Sequence, residues 1–383
     1  MWAVSWSVKI SKLCNLRCRY CYEWNELANP ARISFSDWAK ILVAARRYHA
    51  LQMEHFVEPG RTILYWHGGE PLLLPADYFE AVVRLEREIW GGEPLARREF
   101  TNFLQTNLYS LTEEKLNLLD REKFEIGVSL DVVPGQRLTL DGRETERRVV
   151  INMGRLRDRG ISFSGAVVLA QHTRNRLREI YDFYQDFGIR FTIFPLCASP
   201  LNTPSADFSI GDAEIVEALK DLFVHWIDSD FKIEVQPLRK YLDTALLHLM
   251  GLEREPYDRA ESGERLLLVD TDGTLYTIVD RYAPGASLGN IFAQSLDEIL
   301  ESLPYSSSIE RDKQRCWRHC GGCEYRGACD TYPLFSEPYR SGSSHCRVAF
   351  ELITFIEHFL RKEGFDKDEF AETALRTHGL AAC

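Results

Sequence analysis

The apolar positions in the first 230 residues alternate between short strand-like runs and longer helical runs. Runs such as "AVSWSVKIS" and "RTILYWHGG" are followed by amphipathic runs such as "SFSDWAKILVAARRYHALQ" and "PADYFEAVVRLEREIW". Six strand–helix pairs of this kind follow one another. Because such alternation requires parallel strands covered by helices, the pattern predicts either an open doubly wound sheet or a barrel.

Both architectures place their ligands at the carboxyl ends of the strands. Residues suited to chemistry fall at these predicted ends: Cys14 after the first strand, Gly68, Gly69 and Glu70 after the second, Asn107 after the third and Asp131 after the fourth. We therefore expect one functional face.

Past residue 230 the alternation stops. A helical segment and a charged linker precede a hairpin-like run, "RLLLVDTDGTLYTIVD", in which Asp-Gly is the turn signal. A cysteine-dense tract with little expected secondary structure follows. The pattern predicts four parts: a core barrel over 1–230, a helical linker over 231–262, a small cysteine-rich domain over 263–347, and a C-terminal helix and tail over 348–383.

Composition narrows the class of protein. The chain of 383 residues is too long for one ordinary core, and 45% hydrophobic with 27% charged residues is typical of soluble globular proteins. A net charge of −11 argues against a nucleic-acid surface. No apolar run is long enough to span a membrane, and the N-terminus reads as a strand and not as a signal peptide. We expect the ten cysteines in a reducing cytoplasm, where clustered cysteines favour metal over disulfides.

The stretch "CNLRCRYC" places Cys14, Cys18 and Cys21 in a C-x3-C-x2-C loop after the first strand. A disulfide would use two of these thiols and strand the third. Three thiolates can hold three corners of a four-iron cluster and leave one iron open, whereas a zinc knuckle is the alternative.

This loop, with Tyr20 beside the last cysteine, resembles the signature of the radical S-adenosylmethionine (SAM) superfamily. The resemblance implies a partial (β/α)6 barrel of the TIM-like type, a 4Fe–4S cluster and SAM. In that family the cluster donates one electron that cleaves SAM, and the resulting 5′-deoxyadenosyl radical abstracts a substrate hydrogen. "WHGGEP" resembles the family's GGE motif, which meets the methionine amino group, and glycines there would let backbone approach the ligand.

Two further strand ends, "QTN" and "SLD", resemble the family's cofactor contacts. The resemblance implies cofactor binding by Tyr20, Gly68, Gly69, Glu70, Gln105, Asn107, Ser129 and Asp131. The cofactor carboxylate calls for an arginine. The sequence offers Arg137 and Arg143 and does not choose between them; Arg143 is the working assignment.

Near the C-terminus, "CGGCEYRGACD" followed by Cys346 resembles the SPASM extension of peptide-modifying radical enzymes. The resemblance implies that Cys320, Cys323, Cys329 and Cys346 hold one auxiliary 4Fe–4S cluster, with a four-cysteine zinc site as the alternative. The family's second auxiliary cluster is expected to be lost, because Val279 and Pro333 stand at its cysteine positions. Cys316 stays unassigned.

Asp280 follows Val279 where related sulfatase-type maturases keep an aspartate that takes a proton from the substrate. The resemblance implies that Asp280 is a general base, and a surface aspartate after a hairpin is the alternative.

The resemblance implies a cytoplasmic oxidoreductase whose partners are a ribosomal precursor peptide and a reductant such as flavodoxin or ferredoxin, with no nucleic acid or membrane. The favoured reaction is a cross-link, carbon–carbon or ether, from an aromatic side chain to a β-carbon. The alternatives are oxidation of Cys or Ser to formylglycine, as in anaerobic sulfatase maturases, and thioether formation. A non-catalytic iron–sulfur electron carrier is an alternative of a different class.

Overall fold

The structure is a computed structural model that describes residues 2–55, 60–91, 99–196, 201, 205–252, 266–277, 282–283, 285–329 and 346–364. Its strands are β1 (Ala3–Ser11), β2 (Leu16–Cys18), β3 (Arg61–Gly68), β4 (Phe100–Thr106), β5 (Glu125–Ser129), β6 (Arg137–Thr139), β7 (Phe163–Leu169), β8 (Phe191–Pro195), β9 (Val235–Gln236), β10 (Leu266–Val269), β11 (Thr274–Thr277) and β12 (Gly289–Asn290). Its α-helices are α1 (Phe35–His55), α2 (Ala76–Trp90), α3 (Glu113–Arg121), α4 (Glu146–Asp158), α5 (Leu177–Phe187), α6 (Asp212–Asp228), α7 (Leu238–Leu249), α8 (Leu296–Leu300), α9 (Leu303–Cys320) and α10 (Arg347–Lys362).

Six parallel strands form the body of the molecule. Strands β1, β3, β4, β5, β7 and β8 are neighbours in that order, and each adjacent pair is parallel. A helix follows each of them, from α1 to α6. The predicted partial (β/α)6 barrel is confirmed, and its six carboxyl ends meet at one edge.

Strand β3 shows why these segments form this layer. Its buried residues, among them Leu64 and Trp66, alternate with partly exposed ones such as Tyr65. The buried set packs under the helices, where the Trp66 ring stacks on Phe79 of α2 with centroids 5.0 Å apart. The other set faces the concave side of the sheet, so one strand builds both the core and the wall of the barrel interior.

The sheet extends beyond the six strands at both edges. β9 pairs with β8, and β10 pairs in parallel with β1. β10 and β11 form the predicted hairpin, in which Gly273 takes a φ of +85° at the turn and donates to the Asp270 carbonyl at 2.9 Å. The hairpin therefore continues the barrel sheet. The division of the chain at residues 230 and 263 stays a prediction.

The cysteine-dense tract is more ordered than expected. Helix α9 runs through to Cys320 after an N-cap in which the Ser302 side chain accepts from the Tyr305 N–H. Helix α10 packs on α6 and α7, with Phe359 edge-on to Phe223 at 5.6 Å. Cys346, just before α10, is thereby anchored to the last helix of the barrel. No helix among the described residues is long and apolar enough to cross a membrane.

Candidate active site

A cavity of about 430 Å³ opens at the carboxyl ends of the barrel strands. Its size is in the range of small-molecule sites. Most of the predicted site residues line it: Cys14, Cys18, Tyr20, Cys21, Gly68, Gly69, Glu70, Gln105, Asn107 and Ser129. The structure therefore brings these residues together on one face of the barrel, as the sequence predicts.

The N-terminal cysteine loop is held by backbone contacts. Its strand β2 pairs with β6, and the Cys14 N–H donates to the Leu27 carbonyl at 3.1 Å. Burial is the main cause that raises the pKa of all three thiols, to about 12 for Cys21. Because neutral thiols are poor ligands, metal binding must drive their deprotonation.

The glycines of the GGE run lie against this loop. Gly68 has a φ of +133°, and a Cβ on it would collide with the Ser11 carbonyl. A Cβ on Gly69 would lie 2.5 Å from the carbonyl carbon of Leu13. The next N–H groups donate to the loop, from Gly69 to Ser11 at 2.8 Å and from Glu70 to Leu13 at 2.9 Å. The sequence accounts for these glycines by the close approach of a ligand. In the structure, the backbone leading into the cysteine loop already excludes a Cβ at both positions.

Glu70 joins the ends of β3 and β4. Its carboxylate is 1% exposed and accepts from the Leu72 N–H at 2.9 Å, the Thr106 hydroxyl at 2.6 Å and the Asn107 N–H at 2.7 Å. Burial raises the pKa of Glu70, and the three hydrogen bonds oppose that shift. A carboxylate offers about four acceptor sites. One therefore remains for a ligand.

Amide side chains connect the other strand ends in the same way. Gln105 donates to the Ser129 hydroxyl at 2.6 Å, and the Asn107 side chain donates to the Asn15 side chain at 2.9 Å. Both donors lie on the cavity wall, so their orientation is fixed before a ligand arrives.

Asp131 lies behind the cavity wall and does not line it. It is 1% exposed and accepts from the Tyr20 hydroxyl, from Arg137 Nε at 3.1 Å and from the Val168 N–H at 2.8 Å. Asp131 therefore lies one layer behind the residues that line the cavity, and its direct contact with a cofactor stays a prediction. Asp131 holds Tyr20 and Arg137, which do line the cavity.

Arg143 does not line the cavity, whereas the alternative arginine does. The Arg143 side chain is 80% exposed and pairs with Asp141 at 2.8 Å, whereas Arg137 is 7% exposed and faces the cavity. The physical reason is the turn at Asp141 and Gly142, which carries Arg143 away from β6 and onto the surface. The Asp-Gly turn signal after "RLTL" could have favoured Arg137 from the sequence.

The sequence reasoning missed a buried ion cluster beside the cavity. Glu23 lines the cavity, is 2% exposed and lies 3.1 Å from Lys9 Nζ. Lys9 is 1% exposed, with Asp270 at 3.9 Å and the Tyr282 ring at 4.6 Å. The cluster connects β1, the cysteine loop and the hairpin. A lysine within a buried strand was the signal, since a buried charge requires partners.

The four C-terminal cysteines converge. Cys320, Cys323, Cys329 and Cys346 line one small cavity. Tyr325, which lies between the last two of the C-x2-C-x5-C run, is 2% exposed and contacts the His248 ring at 4.8 Å. Within the described ranges, no group of three or more His, Cys, Asp or Glu side chains is close enough together to hold a single metal ion.

Comparison with known proteins agrees with this geometry. Residues 8–184 match the family model of the Radical SAM superfamily. The chain carries a radical SAM domain. Members of this superfamily use a 4Fe–4S cluster and SAM. The cysteine loop, the glycine run fitted to it and the adjoining cavity suit both groups, so the predictions of these cofactors and of a radical SAM enzyme are confirmed.

Curated relatives match most of the chain. A serine-type anaerobic sulfatase-maturating enzyme of Bacteroides thetaiotaomicron is 22% identical over 354 residues, which cover 84% of this chain and 80% of the relative. A cysteine-type anaerobic sulfatase-maturating enzyme of Clostridium perfringens is 22% identical and covers 81% of this chain and 85% of its own length.

Solved structures share the fold around the radical SAM domain. Native anSMEcpe with bound AdoMet and Kp18Cys peptide superposes with a TM-score of 0.73 at 18% identity, over 97% of this chain and 99% of that one. Streptococcus suis SuiB bound to precursor peptide SuiA gives a TM-score of 0.62 at 15% identity, over 90% and 76%.

Three predictions fall on residues outside the described ranges. Asp280 as a base stays a prediction, as do the substitutions of Val279 and Pro333 read as the loss of a second auxiliary cluster. The side chain of Cys316 is also outside the description, so its assignment is open.

Proposed function

We propose that the protein is a radical SAM maturase that oxidises a side chain of a peptide or protein substrate. The observation that carries the proposal is the cavity in which three cysteines, Glu70 and Arg137 converge at the strand ends. The two maturase relatives, each matched over more than four fifths of this chain, supply the substrate class.

Within this proposal, Cys14, Cys18 and Cys21 bind three irons of the cluster. Once loaded, the cluster would supply the one electron that cleaves bound SAM, and that cleavage would yield the radical that abstracts hydrogen from the substrate. Glu70 uses its remaining acceptor site for the methionine ammonium, and Arg137 pairs with the methionine carboxylate. Asp131 engages Arg137 only through Nε, which leaves the terminal guanidinium nitrogens for that pairing.

The four C-terminal cysteines are proposed to bind one auxiliary 4Fe–4S cluster. Four thiolates ligate every iron of such a cluster, which suits electron transfer or structural support. Their convergence on one cavity supports this assignment. Fully loaded protein would then contain about eight irons, four in each cubane.

The better supported reaction is oxidation of a Cys or Ser side chain to formylglycine. Both curated relatives described above are sulfatase-maturating enzymes, one of each type. After a hydrogen atom leaves the β-carbon, one electron must pass to an acceptor, for which the proposed auxiliary cluster is suited, and one proton must pass to a base, for which a carboxylate is suited. Serine would then give the aldehyde directly, whereas cysteine would give a thioaldehyde that water hydrolyses with release of hydrogen sulfide. Asp280 is proposed as that base on its sequence position alone.

A cross-link from an aromatic side chain to a β-carbon is the second candidate. The aromatic side chains of Tyr22, Tyr65 and Phe194 line the cavity, and Phe194 is 47% exposed there. Such a wall favours an aromatic side chain of the substrate over a small polar one. SuiB bound to its precursor peptide, a structural neighbour, supports a peptide in this fold.

Mass spectrometry of two substrates distinguishes these reactions. The loaded protein is incubated with a peptide that carries the sulfatase-type Cys or Ser, and is separately co-expressed with each short open reading frame found next to its gene. Formylglycine is an aldehyde and is captured by a hydrazide probe, whereas a cross-link loses two hydrogens and is not captured.

The control is a variant with Cys14, Cys18 and Cys21 changed to Ala, which is expected to lose half of the iron and all 5′-deoxyadenosine formation. If that variant still cleaves SAM, the cysteine loop is not the radical-forming site. If the parent cleaves SAM yet modifies neither peptide, the proposal of a maturase is wrong.

A further inference from the structure

The hydroxyl of Tyr241 is a buried polar group that the proposed reaction leaves unexplained. Tyr241 lies on helix α7, is 0% exposed and belongs to the hydrophobic core. Within the described part of the chain, its hydroxyl has no hydrogen-bond partner. A buried hydroxyl without a partner lowers the stability of a fold, so such a group calls for a specific explanation, such as a bound ion or a redox role.

Other buried tyrosines satisfy their hydroxyls within the protein. The hydroxyl of Tyr181, which is also 0% exposed, bonds to that of Ser229. The hydroxyl of Tyr325, in the C-terminal cysteine tract, lies 2.9 Å from that of Thr354 on α10. Tyr241 departs from this pattern, although its ring is packed as tightly as theirs.

Helix α7 brings Tyr241 to the C-terminal cysteine site. It packs on α10, the helix that begins directly after Cys346. His248, two turns further along α7, places its Nδ1 2.6 Å from a carboxylate oxygen of Glu357 on α10, and its ring lies 4.8 Å from that of Tyr325. Because residues seven apart share one side of a helix, Tyr241 and His248 both face α10 and the cysteine tract.

Two of the four C-terminal cysteines interact electrostatically with this hydroxyl. Burial is the main cause that raises the pKa of Tyr241, and negative charge on Cys329 and on Cys346 raises it further. Cys329 ends the C-x2-C-x5-C run and Cys346 adjoins α10, and both line the small cavity. Because interactions between charges weaken with distance, the hydroxyl lies close to these two sulfurs. A hydroxyl without a protein partner is thus placed beside thiols that suit a cluster.

We propose that the Tyr241 hydroxyl donates a hydrogen bond to a thiolate of the auxiliary cluster, at Cys329 or Cys346, and thereby raises the reduction potential of that cluster. The inference rests on the auxiliary cluster of the proposed function. Hydrogen bonds to the sulfurs are among the factors that set the potential of an iron–sulfur cluster. A donor stabilises the more negative, reduced state more than the oxidised state. Tyr241 thus makes the cluster a better acceptor for the electron that the substrate loses.

A potentiometric titration of the loaded chain, followed by electron paramagnetic resonance, tests the proposal. Cys14, Cys18 and Cys21 are changed to Ala so that only the auxiliary cluster contributes to the signal. In this background, Tyr241→Phe removes the hydroxyl and leaves the ring in place. The ratio of reduced to oxidised cluster at a fixed solution potential is expected to fall about tenfold, while the iron content stays at about four per chain.

Thermal melting of the full chain, with and without iron, gives a second readout. Without the cluster, Tyr241→Phe removes an unsatisfied buried hydroxyl, so the Tm should rise by about 2 °C or more. With the cluster loaded, the same change breaks a hydrogen bond, so the Tm should stay level or fall. Tyr181→Phe is the matched control, because its hydroxyl is equally buried but bonds to Ser229. This control should lower the Tm in both states and leave the potential unchanged.

An unchanged potential in Tyr241→Phe at full iron content would overturn the proposal, as would an equal shift in Tyr181→Phe. A rise of the Tm in both states of Tyr241→Phe would also contradict it. Loss of iron from Tyr241→Phe would assign the residue to cluster assembly and not to the potential. Absence of iron from the background variant would overturn the auxiliary cluster and this inference together. Because neither readout uses a peptide, a failure to modify peptides would contradict the proposed reaction alone.

Discussion

Gly69→Ala is expected to disable the N-terminal cluster through the backbone alone. The added Cβ would lie 2.5 Å from the Leu13 carbonyl carbon, whereas non-bonded carbon atoms prefer about 3.5–4.0 Å. The strand end or the cysteine loop must therefore move by about 1 Å. The atoms nearest to the added Cβ are backbone atoms of Lys12 and Leu13, so no flexible side chain can move aside to make room.

The cost of that movement follows from the contacts it disturbs. Overpacking of this kind costs about 1–3 kcal/mol. The two backbone hydrogen bonds to the loop, at 2.8 and 2.9 Å, contribute about 0.5–1.5 kcal/mol each. The free energy of unfolding should thus fall by about 2–6 kcal/mol. Leu13 adjoins Cys14, and metal–ligand distances tolerate only about 0.2 Å of error, so iron loading should fail as well.

Iron content after anaerobic reconstitution and the Tm of the metal-free chain measure these two effects. Gly154→Ala is the matched control, since a Cβ there meets nothing within 4 Å inside helix α4. Alanine is favoured over glycine in a helix by about 1 kcal/mol, so this variant should be neutral or more stable. Parental iron content and SAM cleavage in Gly69→Ala would refute the role given to the glycine run.

Four other perturbations have defined outcomes. Arg137→Lys should raise the KM for SAM about tenfold, because lysine cannot pair bidentately, whereas Arg143→Ala should leave it unchanged; steady-state kinetics decides. Burial raises the pKa of Glu86 from its ordinary value of 4.5 to about 8, so the folded chain retains a proton that the unfolded chain has already lost in this pH range. Stability should therefore fall as pH rises from about 4.5 to 8, and Glu86→Gln should raise the free energy of unfolding at pH 7 by up to about 3 kcal/mol, seen in urea titrations. Cys329→Ser should halve the iron content and lower the Tm of the loaded protein, because the proposed auxiliary cluster would join Cys320, Cys323 and Cys329 to Cys346 at the start of α10; an unchanged Tm would contradict this. Asp280→Asn should keep both clusters and 5′-deoxyadenosine formation but lower modified peptide about 100-fold, and parental product would make Asp280 a hairpin residue only.

The barrel could be predicted from the sequence because its signals are local. The periodicity of apolar residues predicts each strand and each helix from its own segment of sequence. Because strands and helices alternate along the chain, few sheet topologies are possible. The cysteine loop is equally local, since Cys14, Cys18 and Cys21 lie within eight residues. The hairpin turn at Asp272 and Gly273 is also encoded in two adjacent residues.

What the sequence could not decide depends on contacts between distant segments. Arg137 and Arg143 have the same chemistry and lie six residues apart. The Asp-Gly turn between them indicates that the two diverge, but the burial of Arg137 depends on the pairing of β6 with the distant cysteine loop. The ion cluster around Lys9 joins residues more than 250 positions apart. No local pattern specifies such a partner.

Asp131 shows how a motif can place a residue at the strand ends without placing it on the cavity wall. Its position in "SLD" puts it at the end of β5, beside the cavity, yet the carboxylate turns to the protein and accepts three hydrogen bonds there. Asp131 and Arg137 form a buried ion pair, and removal of one partner of such a pair typically costs about 3–5 kcal/mol. Asp131 would therefore affect a bound cofactor indirectly, through the orientation of Tyr20 and Arg137. The residues that line the cavity are thus held in place by a buried residue behind them, and only the contacts between strands distinguish the two kinds of residue.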